Sequence, residues 1–451
     1  MKTGFSRICI TPPMGVPLFG YYEERHASGV LDDLYADAVS FDDGERRALI
    51  LAVDVCELSN KQANRVRKSI SQRLGLDERA IFVNCSHTHT GPSIEFDLIV
   101  EHWESSYNET FYEKLLQVAE ESFTDMKESV FSLGTGKAEG ISFVRRYRMK
   151  NGSVQTNPGV ENEEILHPLG TADDRVGYLR IERSGGEDLV LLSFGTHADS
   201  VGGEMISADW PRFATNTVET VFKNTKCIFL TGAQGDVNHI NPFPTAGERR
   251  GLDYDSFDGV PRGYGHAAHM GRRVAAAVIA GLDKTEPISS DRLSYGEKEI
   301  SIPSNRENHR LEEAKRICLL HNTGRDEELP YEKMELTTVV AEAKRICMLE
   351  NGPDSFEYRI GVLRLGDFVM ATLPGECFVE IGREIRRGYG KESIFVCGLT
   401  NGGDTYFPTS SAYSEGGYEA RTSHLKAGGD RILIDGMLAL LAETEGGEND
   451  R

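Results

Sequence analysis

The sequence has little of what marks a secreted, disulfide-rich or membrane-spanning protein. Its 451 residues include only 8 cysteines and 2 tryptophans, and no two cysteines form a Cys-x-x-Cys pair. The longest apolar runs, Ala275–Ala280 and Met437–Leu441, are far shorter than the ~18 residues needed to cross a bilayer. We therefore expect reduced, buried thiols rather than a disulfide framework, and no integral membrane segment.

Positive charge is also scarce. There are 50 Lys and Arg residues against 71 Asp and Glu residues, which gives a net charge of −21. A protein with this charge repels phosphate backbones and anionic lipid surfaces, so nucleic acid is not an expected partner. Met1–Gly20 has prolines where the apolar region of an export signal would lie, and we therefore expect a cytoplasmic location.

What the sequence does contain is one pattern that occurs three times. In each copy a hairpin of two apolar, β-branched runs is followed by a polar residue, an amphipathic helical stretch, a short buried strand and a polar loop. Module one covers about residues 36–95, module two about 174–245 and module three about 357–410. The pattern predicts an α/β fold with mixed sheets, built from three hairpin-helix-strand modules in one large domain at residues 1–440.

The segment between modules two and three, at about residues 305–350, has a different character. Leu311–Cys318 recurs almost unchanged as Val340–Cys347, and each copy has apolar residues at helical spacing. We expect an inserted pair of antiparallel helices packed against the main domain, with a role as a substrate lid as an alternative. Residues 441–451 are predicted to form an acidic tail without regular structure.

The polar loops after the strands carry the candidate functional residues. In Ser86–Pro92, a continued β conformation would direct His87 and His89 to the same side of the chain. Such a pair suits joint metal ligation, a ligand beside an acid/base, metal-free acid/base catalysis or a structural role. His197 and Glu376 occupy strand-end positions in modules two and three. Two His and one Glu are a known ligand set for a catalytic zinc with an open position for water or substrate.

Taken together, these motifs resemble the catalytic domain of the neutral/alkaline, non-lysosomal ceramidases. They occur in the order of that family and cover about residues 5–440. The matching segments are Ile10–Pro13, Leu31–Ala36, Ser86–Pro92, Phe194–His197, Ser207–Asp209, Gly235–Val237, Leu373–Glu376, Tyr406 and Tyr418–Glu419. The resemblance implies a zinc-dependent amidohydrolase of lipid metabolism.

The resemblance also implies roles for individual residues. The ligands of a single zinc ion per chain would be His87, His197, Glu376 and Tyr406. His89 would hydrogen-bond the water or the leaving amine. Arg145, in the segment Phe143–Arg148, would contact the scissile carbonyl oxygen or its oxyanion, and Tyr418 would line the substrate pocket.

The chain departs from the family immediately after its Gly-Asp-Val motif, whose Asp236 we group with the catalytic residues. The family has a serine proposed to take part in catalysis at the next position, and here that residue is Asn238. An amide side chain does not act as the nucleophile, which favours a metal-activated water. Asn238 can still donate a hydrogen bond to an oxyanion, and His239 can move a proton beside the substrate. The alternative for both residues is a plain loop cap.

These observations predict a zinc-dependent hydrolase that cleaves the amide bond of an N-acyl compound, either lipid-like or small and polar. Two other functions stay open. One is a catalytically inactive, zinc-containing ligand-binding or sensor protein. Asn238 suggests this alternative, because it stands where the family has the serine. The other is a hydrolase of an ester or phosphoester at the same site.

Overall fold

A computed structural model of the chain describes residues 1–94, 106–246, 263–289, 292–391, 393–403 and 405–446. Within them, the helices are α1 Asn60–Leu74, α2 Ser106–Thr124, α3 Asp209–Val221, α4 Tyr264–Ile279, α5 Leu311–Asn322, α6 Lys333–Met348, α7 Val379–Tyr389, α8 Ser410–Glu415, α9 Tyr418–Thr422 and α10 Gly429–Gly446. The described strands form two larger sheets and several short pairings between loops. In chain order they are β1 Lys2–Cys9, β2 Pro17–Leu18, β3 Arg25–His26, β4 Gly29–Val30, β5 Tyr35–Asp42, β6 Arg47–Val53, β7 Ile81–Cys85, β8 Lys127–Lys137, β9 Phe143–Val144, β10 Arg146–Met149, β11 Val154–Thr156, β12 Ile165–Pro168, β13 Arg175–Arg183, β14 Asp188–Phe194, β15 Met205–Ile206, β16 Thr225–Thr231, β17 Val237–Asn238, β18 Glu286–Pro287, β19 Leu293–Pro303, β20 Ser355–Leu365, β21 Phe368–Thr372, β22 Glu376–Cys377, β23 Phe395–Cys397 and β24 Tyr406–Phe407.

Two sheets pack face to face in the middle of the molecule. The larger has the strand order β16-β14-β13-β8-β1-β5-β6-β7, with β18 also paired to β8, and the smaller has the order β19-β20-β21-β23. A shared apolar core joins the two sheets, with Phe41 and Phe82 from the first and Leu363 and Phe368 from the second. Helices cover the outer faces, for example α2 on β1 and β5, and α10 on β19 and β20. The predicted α/β class with mixed sheets is confirmed.

The same sequence of strand pairings occurs three times. Strands β5 and β6 are antiparallel and β7 is parallel to β6, with α1 between β6 and β7. Strands β13, β14 and β16 repeat this arrangement around α3, and β20, β21 and β23 repeat it around α7. Because parallel strands present their carboxyl ends at one edge of a sheet, the polar loops of each triplet emerge on the same side.

Local sequence signals explain where the first of these helices begins and ends. Ser59 caps α1 by accepting a hydrogen bond from the backbone of Gln62, whose side chain accepts one from the backbone of Ser59. This reciprocal arrangement satisfies two of the free N–H groups at the start of a helix. Gly75 ends the helix in a left-handed conformation with φ of 63°, which glycine adopts without steric cost.

Asn84 ties the three strand triplets together at their loop edge. Its side-chain oxygen accepts a hydrogen bond from the backbone N–H of Thr231 at 2.9 Å. Its side-chain nitrogen donates to the carbonyl oxygen of Gly398 at 2.8 Å and to Thr400 Oγ1 at 2.9 Å. The Asn84 cluster, formed by these four residues, therefore holds the ends of β7, β16 and β23 in one fixed arrangement.

Helices α5 and α6 form an antiparallel pair between β19 and β20 and have a small apolar core of their own. The final helix α10 extends to Gly446, so the first residues of the predicted acidic tail are helical rather than irregular. The rest of that tail, residues 447–451, lies outside the described residues. Across the described part of the chain, every helix is either too short or too polar to cross a membrane.

Candidate functional site

Three side chains from three different strand triplets meet at the loop edge of the sheets. His87 lies two residues after β7, His197 lies three residues after β14, and Glu376 begins the short strand β22 after β21. Their exposed fractions are 2%, 0% and 7%, respectively. One ligand-type atom from each lies within 4.8 Å of the others, so the site is a compact buried His-His-Glu cluster.

Backbone carbonyls fix the orientation of both imidazole rings. The oxygen of Cys56 lies 2.9 Å from His87 Nδ1, and the oxygen of Val237 lies 2.9 Å from His197 Nδ1. Because a carbonyl can only accept, each Nδ1 carries the proton, and the lone pair of a neutral ring is on Nε2. Both Nε2 atoms face the cluster, which is how metal-ligating histidines are oriented in proteins.

Glu376 adds a carboxylate oxygen to the two ring nitrogens of the cluster. Its Oε2 atom lies 2.9 Å from His197 Nε2 and 3.3 Å from His87 Nε2, but it has no hydrogen-bond partner among the described residues. A buried carboxylate oxygen facing two ring nitrogens requires a shared cation. A proton on His87 or a metal ion can supply that charge, and the donor set therefore fits a metal.

The electrostatics of the cluster agree with this geometry. Burial alone would raise the pKa of Glu376, but His87 and His197 outweigh it and hold that pKa well below its usual range. Burial, the largest single cause, lowers the pKa of His87, but Glu376 together with the carbonyl of Cys56 and the nearby Asp199 outweighs it, and the net shift is upward. The pKa of His197 is lowered by burial and by Arg145. The carboxylate is thus ionised and ready to bind a cation.

Tyr406 and Arg145 form the wall beside the cluster. Tyr406 pairs with Glu376 across the two short strands β24 and β22. Arg145 donates from one terminal nitrogen to Tyr406 Oη at 3.1 Å and to the carbonyl of Gly235 at 2.9 Å. Its other terminal nitrogen lies 3.1 Å from His197 Nε2. The backbone register thus places the Tyr406 phenol beside the three proposed ligands.

A buried carboxylate holds Arg145 in this position. Glu419, which is 0% exposed, accepts a hydrogen bond from Arg145 Nε at 2.6 Å. The other oxygen of Glu419 accepts from Thr156 Oγ1 at 3.1 Å. Because one edge of the guanidinium is fixed by Glu419, its two terminal nitrogens face Tyr406 and His197. The neighbouring Arg146 also lies 3.8 Å from the second oxygen of Glu419 through its Nε, but its terminal nitrogen donates to Glu415 at 3.1 Å rather than to the site.

His89 lies next to the cluster, although not for the predicted reason. The expected continuous β conformation is wrong, because the strand ends at Cys85 and His87 has a left-handed backbone with φ of 70°. The turn nevertheless brings His89 Nε2 to 3.3 Å from His87 Nε2. Burial and the nearby His87 lower the pKa of His89 well below its usual value. His89 is therefore a neutral imidazole beside the proposed metal ligands.

The residues after Gly235 lie close to the cluster but are engaged in local contacts. Asn238 donates to Asn157 Oδ1 at 3.1 Å and accepts from the backbone of Ile240 at 3.0 Å. Asp236 accepts the backbone N–H of Val379 at 2.8 Å, which caps the first turn of α7. These bonds match the loop-cap alternative for Asn238 and give Asp236 a structural contact.

His239 and Tyr418 have different partners near the site. His239 Nδ1 lies 2.9 Å from Asp199 Oδ1, and within the described residues its Nε2 has no hydrogen-bond partner. The hydroxyl of Tyr418 lies 2.9 Å from that of Tyr22, whose side chain is exposed, and the Tyr418 ring is 5.5 Å from that of Tyr406. Tyr418 thus links the wall of the site to the protein surface.

Sequence reasoning missed two contributors. Glu419 was part of a matching motif, but its partner Arg145 is 274 residues away, so no local pattern could pair them. Cys56 forms a second buried group of potential ligands with His87 and His89. It lies three residues after the end of β6, just as His197 lies three residues after the end of β14, and this equivalence between modules is the signal that could have identified it.

Comparison with known proteins finds a match in structure only. No family model matches the chain, and no curated protein sequence does either. The structure of neutral ceramidase from Pseudomonas aeruginosa matches with a TM-score of 0.72 at 17% identity, over 98% of this chain and 74% of that one. A ceramidase complexed with C2 matches with a TM-score of 0.70 at 16% identity, over 98% of this chain and 75% of that one. The resemblance stated from the motifs is confirmed for the architecture: the chain has the fold of neutral ceramidase.

Proposed function

We propose that the protein is a zinc-dependent hydrolase that cleaves the amide bond of an N-acyl compound. The observation that carries the proposal is the convergence of three buried ligand-type atoms: Glu376 Oε2 lies 2.9 and 3.3 Å from the Nε2 atoms of two oriented histidines. The arginine beside this cluster adds the donor that carbonyl chemistry needs. The fold of neutral ceramidase supports the same class of reaction.

Zinc suits the donor set better than the hard cations do. Two imidazole nitrogens and one carboxylate form a common catalytic zinc site with a position left for water or substrate, whereas magnesium and calcium prefer oxygen ligands throughout. We propose His87, His197, Glu376 and Tyr406 as the ligands of one ion. When bound, the ion supplies Lewis-acid polarisation of the carbonyl and activation of water.

Arg145 is proposed to bind the carbonyl oxygen of the scissile bond. Two of its terminal N–H groups face the cluster, and Glu419 prevents the guanidinium from turning away. A donor fixed before the reaction stabilises the negative charge that develops on this oxygen in the transition state without a cost of reorganisation. Removal of one such donor typically lowers kcat by ~10²–10³-fold.

His89 is proposed to move the proton. Its neutral ring can accept a proton at Nε2 from the attacking water and return it to the nitrogen of the leaving amine. The low pKa of His89, caused by burial and by His87, keeps this ring in the basic form at neutral pH. Asn238 has no nucleophilic group, and its side-chain oxygen is bound to Ile240, so attack by water is the consistent route.

A panel of substrates separates this proposal from its alternatives. Purified zinc-loaded protein is incubated with N-acyl amines of short and long chain, matched esters and phosphoesters, and products are measured by mass spectrometry. Hydrolysis of N-acyl amines, lost in Glu376→Gln, supports the amidohydrolase. Hydrolysis of esters or phosphoesters alone would assign a different reaction. Binding of N-acyl amines without turnover would favour the ligand-binding role that the asparagine at position 238 suggests.

A further inference from the structure

The inserted helices α5 and α6 carry the same five-residue segment, Ala-Lys-Arg-Ile-Cys, at residues 314–318 and 343–347. The two helices pack antiparallel, with the isoleucines of both copies in their shared apolar core. This symmetry brings equivalent residues of the two copies together. The Sγ atoms of Cys318 and Cys347 lie 3.9 Å apart, and both side chains are half-buried.

Each thiol has a lysine of the other copy nearby. Lys344 interacts electrostatically with Cys318, and Lys315 does so with Cys347. A positive charge favours the thiolate, which is the form that reacts with disulfides. Burial and the neighbouring thiol act in the opposite direction and raise the pKa of Cys318 to about 11, so exchange is expected to be slow at neutral pH and faster as the pH rises.

We infer that Cys318 and Cys347 are a redox-active pair that forms a reversible disulfide between α5 and α6. A bond of ~2.05 Å requires the two sulfurs to approach by about 2 Å, which side-chain rotation in a small two-helix unit can supply. With a low-molecular-weight disulfide such as oxidised glutathione as the oxidant, one cysteine first forms a mixed disulfide and releases one thiol. The second cysteine then displaces the other thiol, so that two protein thiols lose two electrons and two protons while one oxidant molecule is reduced to two thiols.

The position of this pair gives the disulfide a consequence for the site. Helix α6 supports α9, because Arg421 of α9 forms ion pairs of 2.8 Å with both Glu335 and Glu342. Arg345 of α6 also donates to the carbonyl oxygen of Arg421 at 3.1 Å. Helix α9 contains Tyr418 and Glu419. Closing the disulfide therefore restrains the helix that supports one wall of the site.

The test uses the full chain and oxidised glutathione, with no substrate. We expect peptide mapping to link residue 318 to residue 347, with the linked peptides about 2 Da (two hydrogens) lighter than the two free peptides together, and with reversal by dithiothreitol. Cys318→Ser and Cys347→Ser should abolish the link, while Cys9→Ser should retain it. Exposed Cys9 is also an internal control for the oxidant, since it should be glutathionylated in the wild type.

Two results would overturn the inference. The first is full glutathionylation of Cys9 at pH 8.5 with no link between residues 318 and 347. The second is a link that leaves amide hydrogen exchange in α5 and α6 unchanged, because a bridge that restrains the helix pair must slow their exchange. Since neither readout involves turnover, failure here leaves the proposed hydrolase activity untouched, and the reverse also holds.

Discussion

Two buried polar clusters lie at the loop edge of the sheets, and each draws on all three strand triplets. In the Asn84 cluster, every polar atom of the asparagine side chain has a hydrogen-bond partner. In the His-His-Glu cluster, the Nδ1 atoms are paired with backbone carbonyls, but the groups facing inward converge on Glu376 Oε2 without a hydrogen bond to it. A satisfied buried polar group stabilises a fold, whereas a convergent and unsatisfied one marks the place of a ligand.

The largest expected effect comes from removing the charge in the unsatisfied cluster. Glu376→Gln keeps the shape of the side chain but removes the anion that attracts the cation, so we expect loss of bound metal. Hydrolysis of an N-acyl substrate should fall by at least about 1,000-fold, which corresponds to about 4 kcal/mol of transition-state stabilisation. Steady-state kinetics together with metal analysis measure both effects.

The matched control for this substitution is Glu380→Gln, a change of the same type in the first turn of α7, where the side chain is 42% exposed. It should retain both metal and activity. If Glu376→Gln keeps its metal and its turnover, the comparison between the two clusters fails, because the unsatisfied oxygen would then have no ligand to hold.

The satisfied cluster should respond in stability instead. Asn84→Asp replaces the donor that faces Gly398 and Thr400 with an acceptor, and it buries a charge. We expect the free energy of unfolding to fall by about 3 kcal/mol. Metal content per folded molecule should stay unchanged. Urea denaturation checks the first expectation, with Asn224→Asp as a control at an exposed asparagine.

The pH dependence of stability tests whether Asp236, at the edge of the site, has a structural role. Burial raises its pKa from 3.8 to about 6 in the folded protein. An acid with a raised folded pKa binds its proton more tightly when folded, so stability falls as pH rises from about 4 to about 6. The shift corresponds to a loss of about 3 kcal/mol at most.

Asp236→Asn should remove that loss while keeping the oxygen that accepts from Val379. Thermal unfolding between pH 4 and pH 7 should therefore give a shallower decline than in the wild type. Some decline will remain, because burial also raises the pKa of Asp209 to about 6. An identical pH profile in the variant and the wild type would show that Asp236 is not the buried acid described here.

The smallest expected effect concerns a positioning residue. Glu419→Gln keeps an acceptor for Arg145 but weakens the contact that orients it, so kcat should fall by about 10- to 100-fold with little change in KM. Glu415→Gln, which alters the partner of Arg146, is the matched control and should leave kcat near the wild-type value. If KM rises and kcat is unchanged, Arg145 binds the substrate equally well in the ground state and the transition state, which would contradict its proposed role in stabilising the transition state.

Local patterns and internal similarity predicted much of this molecule. The capping residues and the closing glycine delimit α1, and the resemblance between the modules identified the loops that carry His197 and Glu376. Long-range contacts determined the rest. The left-handed turn at His87 is held by a bond from its own N–H to the carbonyl of Val55 at 3.0 Å, which no periodicity reveals.

The pairing of polar groups was beyond sequence reasoning for the same reason. Asp236 has a side chain of the type that serves as a catalytic acid, and only the position of α7 shows that it caps a helix. Likewise, Arg145 and Arg146 are adjacent in the sequence, and the choice between them depends on Glu419 and Glu415 in a distant segment. Residue type identified candidates, but hydrogen-bond partners separated structural groups from functional ones.

Metal content is the most direct test of the His-His-Glu cluster. Purified wild-type protein and the variants His197→Ala and His239→Ala are analysed by inductively coupled plasma mass spectrometry after equilibration with zinc and removal of free ion. We predict about one equivalent of zinc in the wild type and in His239→Ala, and almost none in His197→Ala. Equal metal content in all three proteins, or none in the folded wild type, would contradict the assignment of this cluster as a metal site.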